Sequence, residues 1–370
     1  MGPAREESSL PSVAPGLPPW WADEAGDGGT PAPPLEGDAA ADVCIVGGGF
    51  TGLWTALALL EREPSARVVL LEAEQCGSGP SGRNGGFVHG YWGSLVKAQK
   101  ALGTEDAVAL ARAGEHIIPA MRALPDDIWL REGGLLMVST TAAQDSVIEE
   151  AVRAADKAGA PEHAVALDRD GVAKLVESPT FRRGVFFPEC ATVQPARLVR
   201  ALRRAVLDAG VALHEHTRVD NVAGGVVTAA RGSVRADTII VSTNAAMSGW
   251  EPVRRHVTNF GSYVVLTEPV PELLREIGWA DGLAVVDARM FIHYFRTTND
   301  GRMLMGSGTG PIGFGGRVDD RFTQDAASAA RAERGLRRLL PGLDGARVER
   351  AWGGPIDVSA DHLPFFGTAP

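Results

Sequence analysis

The stretch that decides the fold is residues 42–52, DVCIVGGGFTG, together with the segment that follows it. Its apolar beginning predicts a strand buried on both faces, because strands covered by helices on each side read as continuous apolar runs. Phe50–Arg62, FTGLWTALALLER, has apolar residues at helical spacing, and residues 67–72, RVVLLE, predict a second buried strand. The three pieces form one βαβ unit of about 30 residues, which is the size that such a unit requires.

Three glycines lie in the turn between this strand and this helix, and each has its own physical task. Gly47 permits the tight turn, Gly49 lets the backbone approach a pyrophosphate, and Gly52 lets the helix pack closely on the strand. The first helical residues, Phe50 and Thr51, contribute unpaired N–H groups and the positive end of the helix dipole. The spacing therefore predicts a phosphate-binding turn.

An acidic residue completes the unit at the end of its second strand. Glu72 follows Gly52 by twenty residues, and a carboxylate at this point can accept hydrogen bonds from the hydroxyl pair of a ribose. Glycine-rich turns also occur without any ligand, but here the strand, helix, second strand and acid stand in the required order. We interpret the unit as a dinucleotide site, which on these residues alone suits NAD and FAD equally.

The rest of the chain divides by composition and by period. Residues 1–40 are rich in Pro, Gly, Ala and acidic residues without apolar periodicity, and we expect a disordered tail. Helices are predicted at 94–102, 105–124, 141–158, 168–177, 195–210 and 321–340. Strands are predicted as a pair within 128–139 and singly at 212–219, 226–230, 238–242, 262–267, 291–297, 302–308 and 347–352. This order indicates a nucleotide unit, a helical insert, a return to the nucleotide sheet and then an antiparallel sheet.

Composition and charge argue against several classes of protein. Hydrophobic residues make up 45% of the chain, yet no apolar run approaches the roughly 18 residues of a membrane span. The acidic start does not read as a secretory signal, and three scattered cysteines suit neither a disulfide framework nor a zinc site. A net charge of −10 argues against nucleic acid, whose phosphates need a cationic surface. We expect a cytoplasmic protein without metal, membrane or nucleic-acid partners.

A second glycine-rich loop, SGRNGGF at residues 81–87, follows the Glu72 strand. Small residues flank its arginine and its asparagine. A flexible backbone with two polar side chains suits close approach to a second part of the same cofactor. A polar surface loop is the alternative that composition alone favours.

Several motifs together resemble a known family. GGGFTG, LEAE at 71–74 and SGRNGGF are similar to the D-amino-acid-oxidase-type FAD oxidoreductases, particularly the branch that contains gamma-glutamylputrescine oxidase. Further similar segments are ATVQPARLVRALRRAVLDAGV (191–211), HTRVDNV (216–222), ADTIIVSTNA (236–245), YFRTTNDGRMLMG (294–306) and WGGPIDVSADHLPFFG (352–367). The resemblance covers nearly everything from Asp42 to Pro370.

The resemblance implies FAD as the cofactor and an α/β (α+β overall) fold, with a Rossmann-like FAD-binding domain and a discontinuous, antiparallel-sheet substrate domain. The FAD-binding domain is expected at 41–125, 180–250 and 345–370, and the substrate-binding domain at 126–179 and 251–344. Cofactor contacts are implied for the two loops, the end of the second strand, a valine whose backbone meets adenine, and a later turn. These residues are Gly47, Gly49, Phe50, Thr51, Gly52, Glu72, Ala73, Ser81, Gly82, Arg83, Asn84, Gly85, Gly86, Val219, Thr243 and Asn244.

The resemblance also implies an enzyme that oxidises a C–N bond. A hydride passes from the carbon that bears a neutral amine to flavin N5, the imine hydrolyses, and oxygen reoxidises the flavin to give hydrogen peroxide. A dehydrogenase that uses another electron acceptor fits the same residues. In the family, the motif at 363–367 precedes a Gly-rich turn and a helix that contact the flavin ring. Because the chain stops at Pro370, we expect a C-terminal truncation, and a non-catalytic FAD-fold protein is the third hypothesis.

Candidates for the substrate pocket come from the strand at 291–297. Alternation places Tyr294 and Arg296 on one face of this strand and His293 and Phe295 on the other. Tyr294 and Arg296 match a Tyr–Tyr/Phe–Arg pattern of the family. They either line the pocket above the flavin or make ordinary cross-strand contacts.

The segment that begins with WGG at residues 352–354 indicates the class of substrate, because it lacks an arginine. Amino-acid-oxidising members often place an arginine near this strand to hold a carboxylate, whereas residues 353–355 are uncharged here and the nearest ionisable residue is Asp357. An acid favours an amine, so we expect a primary or secondary amine such as a polyamine derivative. Some relatives attach the flavin covalently through a histidine near the second loop. For His89 we favour the alternative of an ordinary packed or surface histidine.

Overall fold

The computed structural model of the chain describes residues 29–251 and 253–368. Its strands are β1 (Gly37–Val46), β2 (Val68–Leu71), β3 (Phe87–His89), β4 (Leu135–Ser139), β5 (Val165–Leu167), β6 (Arg183–Phe187), β7 (Cys190–Thr192), β8 (Ala212–His214), β9 (Val219–Ala223), β10 (Val226–Ala229), β11 (Gly232–Val241), β12 (Val257–Pro269), β13 (Ala284–Asp287), β14 (His293–Thr297), β15 (Arg302–Ser307), β16 (Ile312–Gly313) and β17 (Val348–Ser359). Its helices are α1 (Phe50–Arg62), α2 (Leu95–Leu102), α3 (Thr104–Gly114), α4 (Ile117–Arg122), α5 (Ala142–Lys157), α6 (Arg169–Ala173), α7 (Pro195–Asp208), α8 (Pro271–Glu276) and α9 (Ala326–Leu339). Short 3₁₀ segments lie at Pro80–Gly82, Trp92–Ser94, Pro161–His163, Asn244–Gly249, Phe314–Gly316, Asp320–Phe322 and Pro341–Leu343.

The predicted βαβ unit lies at the centre of a six-stranded sheet with the order β8-β2-β1-β11-β10-β9. β1 pairs in parallel with both β2 and β11, so the chain returns to the nucleotide sheet as the sequence predicts. α1 packs on α7, and the buried core of this half includes Ile45, Leu53, Leu70 and Leu202. Burial of each such side chain contributes about 1.5–3 kcal/mol.

The second half is built on a larger sheet with the order β16-β12-β15-β14-β13-β4-β6-β5, and β17 pairs along β12. β12, β15, β14 and β13 are antiparallel neighbours, as the strand pattern predicts. One face packs on α9 through a core that includes Phe295, Met305, Leu336 and Leu339. Tyr294 lies on the opposite face, in a separate cluster with Trp352, so the predicted alternation along β14 is confirmed.

The predicted disordered tail, residues 1–40, is corrected at its C-terminal end. Residues 1–28 lie outside the described part of the chain, but Ala32 and Leu35 are buried, and β1 begins before residue 40. The Ala32 N–H donates a hydrogen bond to Glu215 Oε2 at 2.7 Å. Because this acceptor follows β8, far along the chain, local composition could not indicate the packing.

Two strands lie in a different sheet from the one that the sequence predicts. The expected FAD-binding domain includes 345–370, yet β17 pairs with β12 in the larger sheet. The same expected domain includes residues from 180 onward, yet β6 pairs with β4 and β5. The choice of sheet depends on partners that are distant in sequence, which motif positions alone do not reveal.

Three local predictions are also wrong. The helix predicted at 105–124 is broken into α3 and α4, because Pro119 has no N–H to donate to the carbonyl of Glu115 and its ring crowds that carbonyl. The strand pair predicted within 128–139 is one strand, β4, whose partners β6 and β13 come from later in the chain. The strand predicted at 212–219 is interrupted, since its ends belong to β8 and β9, and the other predicted elements are present with shifted ends.

Candidate functional site

The glycine turn after β1 allows backbone contacts that no side chain would permit. Gly47 has φ +109°, and a Cβ there would lie 2.7 Å from the carbonyl oxygen of Ser242. A Cβ on Gly52 would clash with the carbonyl of Gly47 itself. The turn, the first turn of α1 and the end of β11 therefore pack at backbone distance, as the sequence predicts for the first and third glycines.

The N-terminus of α1 is electrostatically prepared for an anion. Its N-cap residue, Gly49, has no side chain of its own to cap the helix, and no acidic residue lies in the first turn, to which Thr51 belongs. From the second loop, Ser81 Oγ accepts a hydrogen bond from the Phe50 N–H at 3.0 Å. The structure thus brings the two predicted loops together at the positive end of the helix dipole.

Glu72 and Ala73 stand at the end of β2, beside this turn, and both are half-buried. The Glu72 carboxylate accepts hydrogen bonds from the N–H groups of Gly48, at 2.7 Å, and Glu74, at 2.9 Å. Burial raises the pKa of the Glu72 carboxyl above its usual value in spite of these bonds. In a βαβ unit of this type, an acid at the end of the second strand binds the hydroxyl pair of a ribose, and Glu72 lies at that position.

The second loop is braced by its own asparagine. Asn84 Nδ2 donates to the carbonyl of Ser81 at 2.8 Å, and Asn84 Oδ1 accepts from the Gly86 N–H at 2.8 Å. Gly82, which ends the 3₁₀ segment of this loop, is buried, as is Gly85. Asn84 therefore shapes the loop rather than extending away from it.

Arg83 places a buried positive charge in the same loop. Its side chain is only 8% exposed, and Nε donates to the carbonyl oxygen of Ser78 at 3.1 Å. Among the described residues no carboxylate forms an ion pair with it, and burial lowers the pKa of its guanidinium. A buried cation without a paired anion is costly, so the loop favours an anionic group beside Arg83.

Arg296, one of the predicted pocket residues, holds this loop from the larger sheet. It is 4% exposed and donates to three backbone carbonyls, those of Gly85 (2.5 Å), Val193 (2.9 Å) and Thr297 (3.0 Å). Burial, and then the charge of Arg131, lower the pKa of Arg296. The guanidinium thus ties β14 to the second loop and to the residues before α7.

Tyr294 lies on the sheet face that is turned toward the second loop. Its ring crosses β15 above Gly306, where any Cβ would overlap the ring, and its hydroxyl lies 2.6 Å from Ser262 Oγ on β12. The edge of Phe87 contacts it in a T-shaped arrangement, with ring centroids 5.4 Å apart. A Cβ on Gly85 would lie 3.0 Å from the ring. Tyr294 is therefore held between a strand and the cofactor loop.

The same face continues as an apolar stripe with open space beside it. Phe260 pairs with Ile356 on one side and Ile312 on the other, and both isoleucines are exposed. Closer to Ser262 and Tyr294 the face carries glycines. A Cβ at Gly308 would meet nothing within 4 Å, and one at Gly354 would meet only the Arg83 Cβ, at 3.8 Å. This face, which we call the cleft face, thus has hydroxyl groups at one end and exposed apolar side chains at the other.

Asp357 lies on the opposite face of the same sheet. It pairs with Asn259 rather than with Phe260, and Asp357 Oδ1 accepts a hydrogen bond from Asn244 Nδ2 at 2.5 Å. Asn244 follows Thr243 at the end of β11 and has φ +48°. Burial raises the pKa of the Asp357 carboxyl. The structure therefore brings Asp357 to the predicted cofactor turn and not to Tyr294.

Two further predicted positions lie apart from the cleft face. His89 is exposed at the end of β3, with Nδ1 3.3 Å from the carbonyl oxygen of Gly90. Val219 is half-buried at the start of β9 and pairs with Ala229. Just before it, the Thr217 N–H donates to the carbonyl of Glu72 at 2.8 Å. This bond brings the segment next to the residue whose carboxylate is predicted to bind the ribose.

Sequence reasoning missed three residues that build the cleft. Ser262 and Gly306 place the Tyr294 hydroxyl, and Trp352 Nε1 donates to the carbonyl of Arg83 at 2.9 Å. A glycine inside a strand pattern signals close approach, so Gly306 carried a usable signal. Within the described ranges, no group of three or more metal-ligating side chains occurs, and no helix is long and apolar enough to cross a bilayer.

Comparisons with known proteins agree with this geometry. The profile of the FAD dependent oxidoreductase family (DAO) matches residues 42–370. The probable oxidoreductase OrdL of Rhizobium meliloti is 28% identical over 348 residues, which cover 90% of this chain and 77% of that protein. The gamma-glutamylputrescine oxidoreductase of Escherichia coli is 29% identical over 336 residues, covering 88% of this chain and 76% of that protein. The crystal structure of glycine oxidase from Geobacillus kaustophilus superimposes with a TM-score of 0.73 at 22% identity, covering 90% of this chain and 86% of that one.

The chain belongs to the FAD dependent oxidoreductase family. It is therefore an enzyme with FAD as its cofactor, as the resemblance of its motifs predicts. The described residues fit that dinucleotide in three ways: a helix N-terminus at a glycine turn with no acidic residue in its first turn, an acid at the end of β2, and, in Arg83, a buried cation that forms no ion pair among the described residues.

Proposed function

We propose that the enzyme oxidises the C–N bond of a primary or secondary amine and that oxygen is its electron acceptor. When bound, FAD takes the hydride from the carbon that bears the amine. That carbon and its nitrogen lose a hydride and a proton to give an imine, which water hydrolyses to a carbonyl compound and either ammonia, from a primary amine, or a free amine, from a secondary one. Oxygen takes the two electrons and two protons and leaves as hydrogen peroxide.

The observation that carries this proposal is the charge of the cleft face. From β16 to β14 the face presents Phe260, Ser262, Ile312 and Ile356, and Tyr294 closes its far end. Arg296, the basic side chain on this face of β14, donates to the backbone carbonyls of Gly85 in the second loop and of Val193 before α7. A substrate carboxylate at this face would exchange water for contacts with apolar and hydroxyl groups, which is costly for an ion. An uncharged amine with an apolar arm suits the same surface.

The side chains of the cleft have separate tasks in this reaction. Tyr294 offers a polar contact to the amine nitrogen, and its burial raises the pKa of the phenol, so that it stays neutral. Phe260, Ile312 and Ile356 offer apolar surface to the hydrocarbon arm of the substrate, and such a surface favours the uncharged amine, which alone can release a hydride readily. Arg83 and Glu72 belong to the cofactor and not to this chemistry.

The name of one relative narrows the substrate class. The Escherichia coli relative is a gamma-glutamylputrescine oxidoreductase, and this chain matches it over 88% of its own length. A polyamine derivative has primary and secondary amines separated by apolar methylene arms, which fits a cleft with a polar end and an apolar end. We therefore infer a polyamine derivative as the substrate. The cysteines at 44, 76 and 190 are free thiols, as is usual in a reducing cytoplasm, where we place the enzyme.

A panel of substrates tests the proposal. The FAD-loaded enzyme is mixed without oxygen with putrescine, gamma-glutamylputrescine and N-methylbutylamine, and separately with glycine, sarcosine and D-alanine. We expect the amines to bleach the flavin bands and air to restore them with one equivalent of peroxide. Faster bleaching by the amino acids would overturn the amine assignment. Slow recovery in air, together with fast recovery with a dye acceptor, would make the enzyme a dehydrogenase.

A further inference from the structure

Three oxygen atoms form a chain of hydrogen bonds along the cleft face. The Tyr294 hydroxyl lies 2.6 Å from Ser262 Oγ, and Ser262 Oγ lies 3.4 Å from the carbonyl oxygen of Ser307. A carbonyl oxygen can only accept a hydrogen bond. Either oxygen of the Tyr294–Ser262 pair can be the donor; when Ser262 directs its single hydrogen to Ser307, it accepts the hydrogen of Tyr294.

This direction is maintained by the protonation and by the packing of Tyr294. Burial raises the pKa of its phenol, so the hydroxyl keeps a hydrogen to donate. The ring lies against Gly306 and Gly85 and touches the edge of Phe87, so it cannot rotate away from Ser262 without a clash. With its one hydrogen engaged, the phenol oxygen has only lone pairs left for a ligand.

We propose that Ser262 sets the substrate specificity of the enzyme by making Tyr294 an acceptor and not a donor. This inference rests on the proposed function, since it names the chemical group that the cleft selects. An amine nitrogen supplies the N–H donor that the phenol oxygen lacks. A carboxylate would instead place its own lone pairs against those of Tyr294, with no hydrogen between them.

The space around the pair allows a ligand to reach it. Gly308 and Gly354 flank Ser262, and side chains at either position would have room, so the face is open there. Phe260 and its two isoleucine neighbours continue the same face with apolar surface. The site thus fits a nitrogen donor that carries a branched or linear hydrocarbon arm.

The test uses a pair of probes with the same shape and without turnover. tert-Butylamine and pivalate differ only in the polar group, and neither has a hydrogen on the carbon next to that group, so neither can reduce the flavin. Each probe is titrated into the FAD-loaded enzyme, and binding is read from the shift of the flavin absorption bands. We expect the wild-type enzyme to bind tert-butylamine at least tenfold more tightly than pivalate.

Three variants make the test specific. Ser262→Ala frees the tyrosine hydrogen to donate to the ligand, and we expect the amine preference to fall about tenfold, the size of one lost hydrogen bond. Ser262→Thr keeps the hydroxyl and should keep the preference. Tyr294→Phe should weaken tert-butylamine and leave pivalate unchanged.

The outcomes separate this inference from the proposed function. If Ser262→Ala keeps the wild-type preference for tert-butylamine, with unchanged Tm and FAD content, the inference is overturned. It is also overturned if the variant loses affinity for both probes equally, or if the enzyme binds neither probe. The proposed function fails by a different result, namely that no amine reduces the flavin of the wild-type enzyme.

Discussion

The indole N–H of Trp352 donates a hydrogen bond to the carbonyl oxygen of Arg83 at 2.9 Å, although 269 residues separate them in the chain. Trp352 is buried on β17 of the larger sheet, and Arg83 lies in the second cofactor loop. The bond therefore fixes the loop that carries the buried guanidinium against the sheet that carries Tyr294. A substitution of Trp352 should therefore weaken FAD binding as well as lower the stability of the fold.

Replacement of Trp352 by Phe retains most of the buried ring and removes the donor. The Arg83 carbonyl then lies buried without this partner, which costs about 1–3 kcal/mol of unfolding free energy. We expect a lower midpoint in urea unfolding and weaker retention of FAD, read from flavin absorbance after gel filtration.

Trp279→Phe is the matched control for that variant, because the Nε1 of Trp279 is buried but has no hydrogen-bond partner among the described residues. Its replacement removes a donor that makes no bond, so we expect a smaller loss of stability and full FAD content. Equal losses in the two variants would show that ring volume, and not the bond to Arg83, is what matters at position 352.

The glycine turn provides a second prediction. A Cβ at Gly52 would clash with the carbonyl of Gly47, so Gly52→Ala must push α1 away from β1. Overpacking of this kind costs about 1–3 kcal/mol and displaces the helix N-terminus that we propose as the phosphate site. We expect a colourless protein after purification, as measured by the ratio of flavin to protein absorbance.

Gly79→Ala is the control in the neighbouring loop. A Cβ at Gly79 would meet nothing within 4 Å, and its φ of −78° is open to any residue. This variant should bind FAD as the wild type does. Normal FAD content in Gly52→Ala would contradict the role given to the third glycine.

Much of the cofactor half could be predicted from sequence because its signals are local. The apolar runs of β1 and β2, the helical period of α1 and the spacing of Gly47 and Gly52 all lie within residues 42–72. In contrast, β6 and β17 join the larger sheet through partners that lie far away in sequence. No local period distinguishes a strand of one sheet from a strand of the other.

On the sheet that carries Tyr294, sequence also fails to show which single residues contact one another. Alternation correctly places Tyr294 and Arg296 on one face of β14. It does not show that Arg296 would bind the carbonyl of Gly85, or that Tyr294 would cross Gly306 to reach Ser262. Those contacts depend on the register between β14, β15 and β12, which sequence alone does not set.

The exposed position of His89 predicts a flavin that is not covalently attached. His89 lies at the end of β3 and contacts only the neighbouring Gly90 carbonyl among the hydrogen bonds of the described residues. Precipitation of the loaded enzyme in acid should leave all the yellow colour in the supernatant. His89→Ala should have unchanged FAD content, and colour that stays with the wild-type pellet but not with the variant would contradict this assignment.

The contacts of Arg296 predict a positioning role rather than a substrate contact. Arg296→Met removes the donors to the carbonyls of Gly85 and Val193 and frees the loop from β14. We expect at least a tenfold weaker FAD affinity and a lower Tm, while the fraction that still holds FAD keeps its KM for amines. The measurements are FAD titration, thermal unfolding and steady-state kinetics at saturating FAD.

Arg231→Met is the control for charge removal, since Arg231 is exposed and pairs with Glu36 at the surface. Exposed pairs contribute less than about 1 kcal/mol, so FAD affinity should not change. A raised KM with intact FAD affinity in Arg296→Met would instead assign Arg296 to the substrate.

Glu215 links the N-terminal segment to the cofactor loops. It is 1% exposed, its Oε1 accepts from the Cys76 N–H at 2.9 Å, and its Oε2 accepts from the Ala32 N–H at 2.7 Å. Both oxygens also accept from Arg203, at 3.0 and 2.8 Å. Burial alone would raise the pKa of Glu215, but the hydrogen bonds from Arg203 and from the backbone outweigh it and lower the pKa below 4.5.

The lowered pKa sets the sign of a pH effect. Because the folded state holds the proton of Glu215 more weakly than the unfolded state, the pair stabilises the fold above the ordinary value of 4.5, and this stability is lost as the pH falls through the lower folded pKa. Glu215→Gln leaves Arg203 buried without its partner, which costs about 3–5 kcal/mol at neutral pH. We expect the gap in unfolding free energy between the wild type and this variant to be widest near pH 7 and to narrow below pH 4.5, as measured by urea unfolding across that range. Glu36→Gln, which removes an exposed acid, should show a small gap at every pH, and a constant gap for Glu215→Gln down to strongly acid pH would contradict the assignment.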